Sequence, residues 1–140
     1  MSNGSKNRVF IDTSTLHAVW NPRDQFHTEA VIIWQKLLKN KLALVTNSYI
    51  LDETFTLMRA RQGIIAVDIF RKMLESPTNV MTIKRVTIED EQNAWLWFMR
   101  DFKRLSFTDA VSFAMMMRLG ISTVCTFDHH FEQAGFQRFV

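Results

Sequence analysis

The chain holds one cysteine, two prolines and four glycines in 140 residues. A lone cysteine excludes a disulfide framework and a cysteine-based zinc site. Cys125, in an apolar run, reads as a small buried hydrophobe. So few glycines and prolines leave little room for linkers, low-complexity segments or many tight turns. No apolar stretch approaches the length of a membrane span, so no membrane association is expected. The start, MSNGSKNRVFID, is a short polar tail followed at once by an acid-ended apolar segment, whereas a secretory leader needs a longer apolar core. A cytoplasmic protein is the expectation. Also missing are a P-loop, a Gly-rich dinucleotide motif and a Ser–His–Asp pattern.

What is present fits one domain spanning residues 1–140, large enough to bury roughly two-thirds of its unfolded surface. Short apolar segments alternate with helical patterns. Strands are expected at Arg8–Ile11, Leu42–Val45, Val80–Val86, Ser122–Phe127 and Phe136–Phe139. Between them, helices are expected at Thr13–Trp20, at Gln25–Asn40, and from the Thr46-Asn47-Ser48 caps to Gln62. Further helices are read at Ile64–Glu75, from the Thr87/Asp90 capping box through Phe102, and from Ser106 to Gly120; a short turn follows at Asp128–Gln133. That alternation indicates a parallel sheet with helices on both faces, whose ligands sit at the carboxyl ends of the strands.

Four acids stand out from the other ten. Asp12, Glu53, Asp109 and Asp128 occur in VFIDTST, TNSYILDETF, SFTDAVSFAMMM and TVCTFDHHF, each beside a strongly apolar stretch and near hydroxyl residues. Asp12 and Asp128 directly follow expected strands, while Glu53 and Asp109 fall in the first or second turn of expected helices, so all four can point to one end of the sheet. Singly, each has a bland explanation as a helix cap or as a partner of a helix dipole. Jointly that fails, because Glu53 lies too deep for a cap. Converging acids repel one another and resist ionisation. A hard divalent cation removes that conflict, and carboxylate oxygens are the ligands Mg²⁺ and Mn²⁺ prefer. Asp52, beside Glu53, is ambiguous.

The net charge is +3. Without the four acids, 17 basic side chains face ten acidic ones, a balance of +7. A basic surface around an acidic, metal-holding pocket suits a polyanionic substrate. Arg59, Arg61, Arg100, Lys103 and Arg104 are the expected phosphate contacts nearest the pocket. His17, His27, His129 and His130 lack zinc spacing, and the last two read as surface histidines. Trp34, Trp95 and Trp97 read as core or interface residues.

The segments VFIDTST, YILDETFTLMRAR, LSFTDAVSFAMM and TFDHHFEQAGF resemble the motifs of PIN-domain proteins, especially the VapC-like toxin ribonucleases of type II toxin–antitoxin systems. They occur in the family's order and cover essentially the whole chain. The resemblance implies a three-layer α/β/α PIN-like fold around a mostly parallel sheet. By that resemblance Asp12, Glu53, Asp109 and Asp128 form the catalytic quartet binding Mg²⁺ or Mn²⁺, Ser14 and Thr108 are supporting hydroxyls, and the activity is RNA hydrolysis. It further implies a small antitoxin, for which two grooves are available: the apolar surface of the helices from Glu53 to Ser76, including Met58, Ile65 and Phe70, and the acidic pocket itself, where an inserted Arg or Lys would meet Asp12, Glu53 or Asp109. A homodimer is expected from the helix Phe107–Leu119, apolar nearly all round, and the Trp-rich helix before it. The alternatives are a PIN-like binding module that does not cleave and a housekeeping PIN nuclease. A receiver-type signalling domain is disfavoured, because only Asp12 follows the first expected strand, where paired acids are needed, and no acceptor aspartate directly follows Val80–Val86.

Overall fold

The computed structural model describes residues 7–140; nearly all of the polar N-terminal tail lies outside them. Five strands, β1 (Arg8–Ile11), β2 (Ala43–Asn47), β3 (Met81–Lys84), β4 (Thr123–Cys125) and β5 (Gln137–Arg138), form one sheet in the order β3-β2-β1-β4-β5. Every pairing is parallel. Parallel strands need crossover connections, and here these are α1 (Thr13–Trp20), α2 (His27–Lys39), α3 (Ser48–Gln62), α4 (Ile64–Glu75), α5 (Ile88–Phe98), α6 (Phe107–Leu119) and α7 (His130–Gln133).

The chain winds outward from β1 to β3, then returns to lay β4 on the other side of β1. Right-handed crossovers therefore put α1–α4 on one face and α5–α7 on the other. The helix packing follows: α1 lies against α2 and α3, α3 against α4, α5 against α6, and α6 against α7. Strands covered on both faces read as continuous apolar runs. Val9, Phe10 and Ile11 of β1 and Val124 and Cys125 of β4 are all at most 2% exposed.

Helix α6 runs through the middle of its layer. Val111, Phe113, Met115 and Met116 are buried, and Phe113 meets the rings of Trp97, Phe102, Phe131 and Phe136. Its all-round apolarity is thus satisfied within the subunit. The outward apolar surface of this layer belongs mainly to α5, where Trp95 and Leu96 are exposed, together with Ile88, Met99 and Met117.

Element boundaries moved where backbone chemistry overrode periodicity. The helix expected to run through Phe102 stops at Phe98, because Met99 and Arg100 donate back to Trp95 and Trp97 and close the last turn. Arg104, in the following loop, takes a left-handed conformation, φ 58°, which no helical pattern announces. The strand expected over Val80–Val86 shortens to Met81–Lys84, and β2 runs on to Asn47. Asn47 then caps α3 by accepting the Ile50 N–H, which aims the helix carrying Glu53.

Candidate metal centre and nuclease cleft

Strands β1 and β4 are neighbours whose outgoing connections leave in opposite directions. In an open parallel sheet such a switch point opens a crevice at the strands' carboxyl ends. Asp12 directly follows β1 and Asp128 lies three residues beyond β4. Glu53, six residues into α3, and Asp109, three residues into α6, reach the crevice from opposite layers. All four line one cleft of about 410 Å³, together with Ser14, His17, Arg61, Arg104 and His130.

Two hydroxyls fix the Asp12 carboxylate. Ser14 Oγ donates to Asp12 Oδ2 at 2.9 Å and Thr126 Oγ1 donates to the same oxygen at 2.8 Å. Each hydroxyl in turn accepts a backbone N–H, that of Phe127 on Ser14 and that of Asp128 on Thr126, both at 2.9 Å. The two relays lock the loop after β4 onto the end of β1. Asp109 enters differently. Ser106 caps α6 by accepting the Asp109 N–H at 3.0 Å, and the Asp109 side chain faces the cleft.

Burial and mutual repulsion dominate the electrostatics. Asp12 is 4% exposed and its pKa is pushed up to about 6, by burial first, with the Thr126 and Ser14 hydrogen bonds opposing and Asp128 adding. Asp109 is 7% exposed and is pushed up to about 8, by burial and then by the charges of Asp12, Asp128 and Glu53. Both carboxyls resist ionisation, Asp109 the more, and a bound cation would favour their charged forms. An all-oxygen donor set of this kind fits a hard divalent ion.

His130 was expected at the surface but is 6% exposed. Its Nε2 lies 2.6 Å from the Lys103 carbonyl, which can only accept, so Nε2 carries a proton. Its Nδ1 sits 2.7 Å from Asp128 Oδ1, though not in line for a hydrogen bond, and 3.7 Å from Asp109 Oδ2. A carboxylate this close favours a proton on Nδ1 and so the charged form of the ring. Burial works against that charge; the Lys103 carbonyl, Asp128 and Asp109 outweigh it and raise the pKa. Asp128, His129 and His130 also bring possible ligand atoms within 4.8 Å of one another. With its Nε2 committed to the Lys103 carbonyl, His130 is a poorer match for a hard divalent ion than the carboxylate oxygens. His129 is exposed, as expected.

The remaining expected residues divide. Arg61 and Arg104 line the cleft. Arg59, Arg100 and Lys103 do not; Arg100 stacks over Trp97 at 4.4 Å, and Lys103 contributes its carbonyl to His130. Thr108 borders a shallower hollow shared with Asp52, Glu53 and Thr56. Asp52 is exposed and outside the acid cleft. Thr126 was not singled out in the sequence; His130 was read as a surface residue and His17 was given no place in the cleft. The TFD step carried a signal for Thr126, a hydroxyl two residues before an acid, and His130 carried one in its place two residues after Asp128; nothing local marked His17.

The chain belongs to the PIN domain family, whose model matches residues 9–137. It is 35% identical over 129 residues to the 23S rRNA-specific endonuclease VapC20 of Mycobacterium tuberculosis, in the sequences of two strains, covering 91% of this chain and 95% of the relative. The crystal structure of Mycobacterium tuberculosis VapC20, described as a sarcin–ricin loop cleaving toxin, superposes with a TM-score of 0.80 at 35% identity and the same coverage.

The cluster makes a prediction about the metal-free protein. In the unfolded chain the aspartates release their protons near 3.8, while in the native state Asp12 and Asp109 keep theirs to about 6 and 8. Between those limits the native state binds more protons, so stability falls as pH rises. The raised His130 pKa acts in the same direction, its contribution being complete below its unfolded pKa and lost above the folded one. Melting curves in EDTA should therefore show a declining midpoint from pH 5 to pH 8. Asp109→Asn should flatten the decline and be the more stable protein at pH 8, by on the order of a few kcal/mol. A wild-type midpoint that rises across this range would contradict the assignment.

Proposed function

We propose that this chain is a metal-dependent endoribonuclease, the toxin of a type II toxin–antitoxin pair. The observation that supports it best is the convergence of Asp12, Glu53, Asp109 and Asp128, from four separate segments, on one cleft at the sheet's switch point. Family membership and the similarity to a 23S rRNA-specific endonuclease support the substrate class.

In this reading the four carboxylates hold Mg²⁺ or Mn²⁺. When bound, the cation offsets charge on the phosphoryl group and lowers the pKa of a water. The chain's own residues do the rest. Ser14 and Thr126 hold Asp12 in one orientation. His130, pinned to the Lys103 carbonyl, holds Asp128 against rotation. Arg104, whose backbone is fixed in a left-handed turn beside the acids, is placed to receive a phosphate oxygen.

Purified protein with Mn²⁺ should cleave RNA, 23S rRNA being the first substrate to try, and EDTA should abolish cleavage. Asp12→Asn or Asp109→Asn should lower the rate by at least about 100-fold, the order of loss expected when a group that positions developing charge is removed. Parental rates in either variant would remove the site assignment. A wild type that binds RNA without cutting it would leave a PIN-like binding module.

The exposed apolar side chains on α5 support a homodimer. Trp95, Leu96, Met99 and Ile88 form the kind of surface that monomers rarely leave open. Light scattering at micromolar concentration should give twice the 16.5 kDa chain mass, and Leu96→Glu should return it to one. A wild type running at the monomer mass sinks the dimer.

The antitoxin face needs a correction. Met58 and Phe70 are 1% and 0% exposed and belong to the core, whereas Ile64, Ile65 and Ile69 on α4 face outward. An amphipathic helix would gain its affinity there. Co-expression with the adjacent small reading frame should yield a complex that Ile65→Asp weakens. Failure to co-purify any small partner, with no growth defect on expression alone, would point instead to a housekeeping PIN nuclease.

A further inference from the structure

Beside the acid cleft lies a buried histidine that the acid cluster does not use. His17 of α1 is 3% exposed. Its Nε2 faces the Asn21 side-chain amide and the Arg61 guanidinium Nη1, both at 3.2 Å. The Asn21 amide is oriented by its oxygen, which accepts the Arg23 N–H at 3.1 Å, so its NH₂ is the group turned to the ring. Two N–H donors converging on one ring nitrogen require a lone pair there. Nε2 is therefore the acceptor and the proton sits on Nδ1, which is buried without a partner. Burial first, and Arg61 second, hold the ring's pKa below its ordinary value against the pull of Asp24, so the ring is neutral. Asp24 Oδ2, 3.8 Å from the same nitrogen, is too distant for a hydrogen bond.

Arg61 is thus aimed by a neutral acceptor. Among the described residues no carboxylate comes within 4.0 Å of it or of Arg23. A guanidinium oriented in this way keeps its full charge for an incoming anion. Glu53 and Arg61 lie eight residues apart on one face of α3, about 12 Å along the axis, and both line the acid cleft. Arg61 also borders an adjoining hollow of about 320 Å³, whose other walls are Asn21, Pro22, Arg23 and Gln62. Gln62 Nε2 donates to the Trp20 carbonyl at 2.8 Å and holds the ends of α1 and α3 together. Two guanidiniums without carboxylate partners at one hollow, which shares Arg61 with the acid cleft, match the chemistry of a second phosphate on the same strand.

We propose that Arg61 and Arg23 form a subsite for a backbone phosphate of the RNA, a few nucleotides from the bond cleaved, and that His17 is the positioning residue that aims Arg61 into it. The subsite rests on the ribonuclease reading above. It fixes the register of the strand over the acids and is indifferent to base identity.

The test is equilibrium binding of a fluorescent single-stranded RNA in EDTA across a salt series, so that no cleavage is needed. Arg61→Gln and Arg23→Gln should each weaken binding severalfold and lower the slope of log affinity against log salt by about one. His17→Leu should reproduce the Arg61→Gln loss, while His17→Gln, which retains an acceptor, should recover most of it. The double variant His17→Leu/Arg61→Gln should lose no more than Arg61→Gln alone, since His17 acts through Arg61. Melting curves check folding; if His17→Leu unfolds, Arg61→Gln and His17→Gln carry the comparison. An unchanged salt slope in Arg61→Gln, or additive losses in the double variant, overturns the proposal. Cleavage by the wild type in Mn²⁺ is scored separately: cleavage with unchanged slopes removes only the subsite, and the slope pattern without cleavage removes only the nuclease.

Discussion

Everything at this site follows from gathering like charges in a place that water barely reaches. Asp12 and Asp109 are almost fully buried, and Asp128 and Glu53 crowd them. Such a cluster is unfavourable in isolation, and only a scaffold rigid enough to forbid escape maintains it. The parallel sheet provides that scaffold. Its central strands carry uninterrupted apolar side chains, so β1 and β4 end at fixed positions and deliver their acids side by side. Local chemistry then reduces the cost unequally. Asp12 receives two hydroxyl donors, and Asp128 receives a backbone N–H and the cationic face of His130. For Asp109 the Ser106 hydroxyl opposes the rise but burial and three neighbouring carboxylates outweigh it, and it is the acid whose pKa is pushed furthest, to about 8.

How much of this was visible in the residues depends on the range of the interaction responsible. Strands and helices were legible because their cause is local: apolar runs for β1, β2 and β4, a capping box for α5, an Asn cap for α3. Asp12 and Asp128 were legible because an acid after a buried strand has nowhere else to point in a parallel sheet. The loop after α5 was not, since a left-handed Arg104 runs against residue preference. The burial of His130 was not legible for a different reason. Its pKa is raised by a carbonyl 27 residues away, by Asp109 on α6 and by Asp128, and only the last is near it in sequence. The apolar helix α6 was recognised as buried, but its pattern could not tell a subunit contact from a central position in the layer.

One pair of motifs shows where function separates from stability in this chain. Thr87/Asp90 and Ser106/Asp109 have the same spelling, a hydroxyl residue followed three positions later by an aspartate. In the first, Thr87 accepts the Asp90 N–H, Asp90 accepts the Thr87 N–H, and Arg118 completes the site with contacts of 2.6 and 2.9 Å. That carboxylate is fully committed, and its pKa stays below the ordinary value although burial opposes this. In the second, the hydroxyl caps the helix in the same way, but the carboxyl turns to the cleft. Helix capping therefore accounts for the hydroxyl residue in each frame and leaves the second acid unexplained.

The two buried histidines divide on the same principle. His17 meets two donors and stays neutral; His130 meets a carbonyl and two carboxylates and takes a charge. Neither state follows from the imidazole or from its immediate neighbours in sequence. Each ring completes the hydrogen-bonding valence of groups brought to it by the fold. The cationic ring holds down acids and the neutral ring holds up an arginine, so one cleft keeps negative charge at its floor and positive charge at its rim. A phosphodiester strand and the cations that accompany it require both in that order, which ties the polarity of the cleft to the winding of the sheet beneath it.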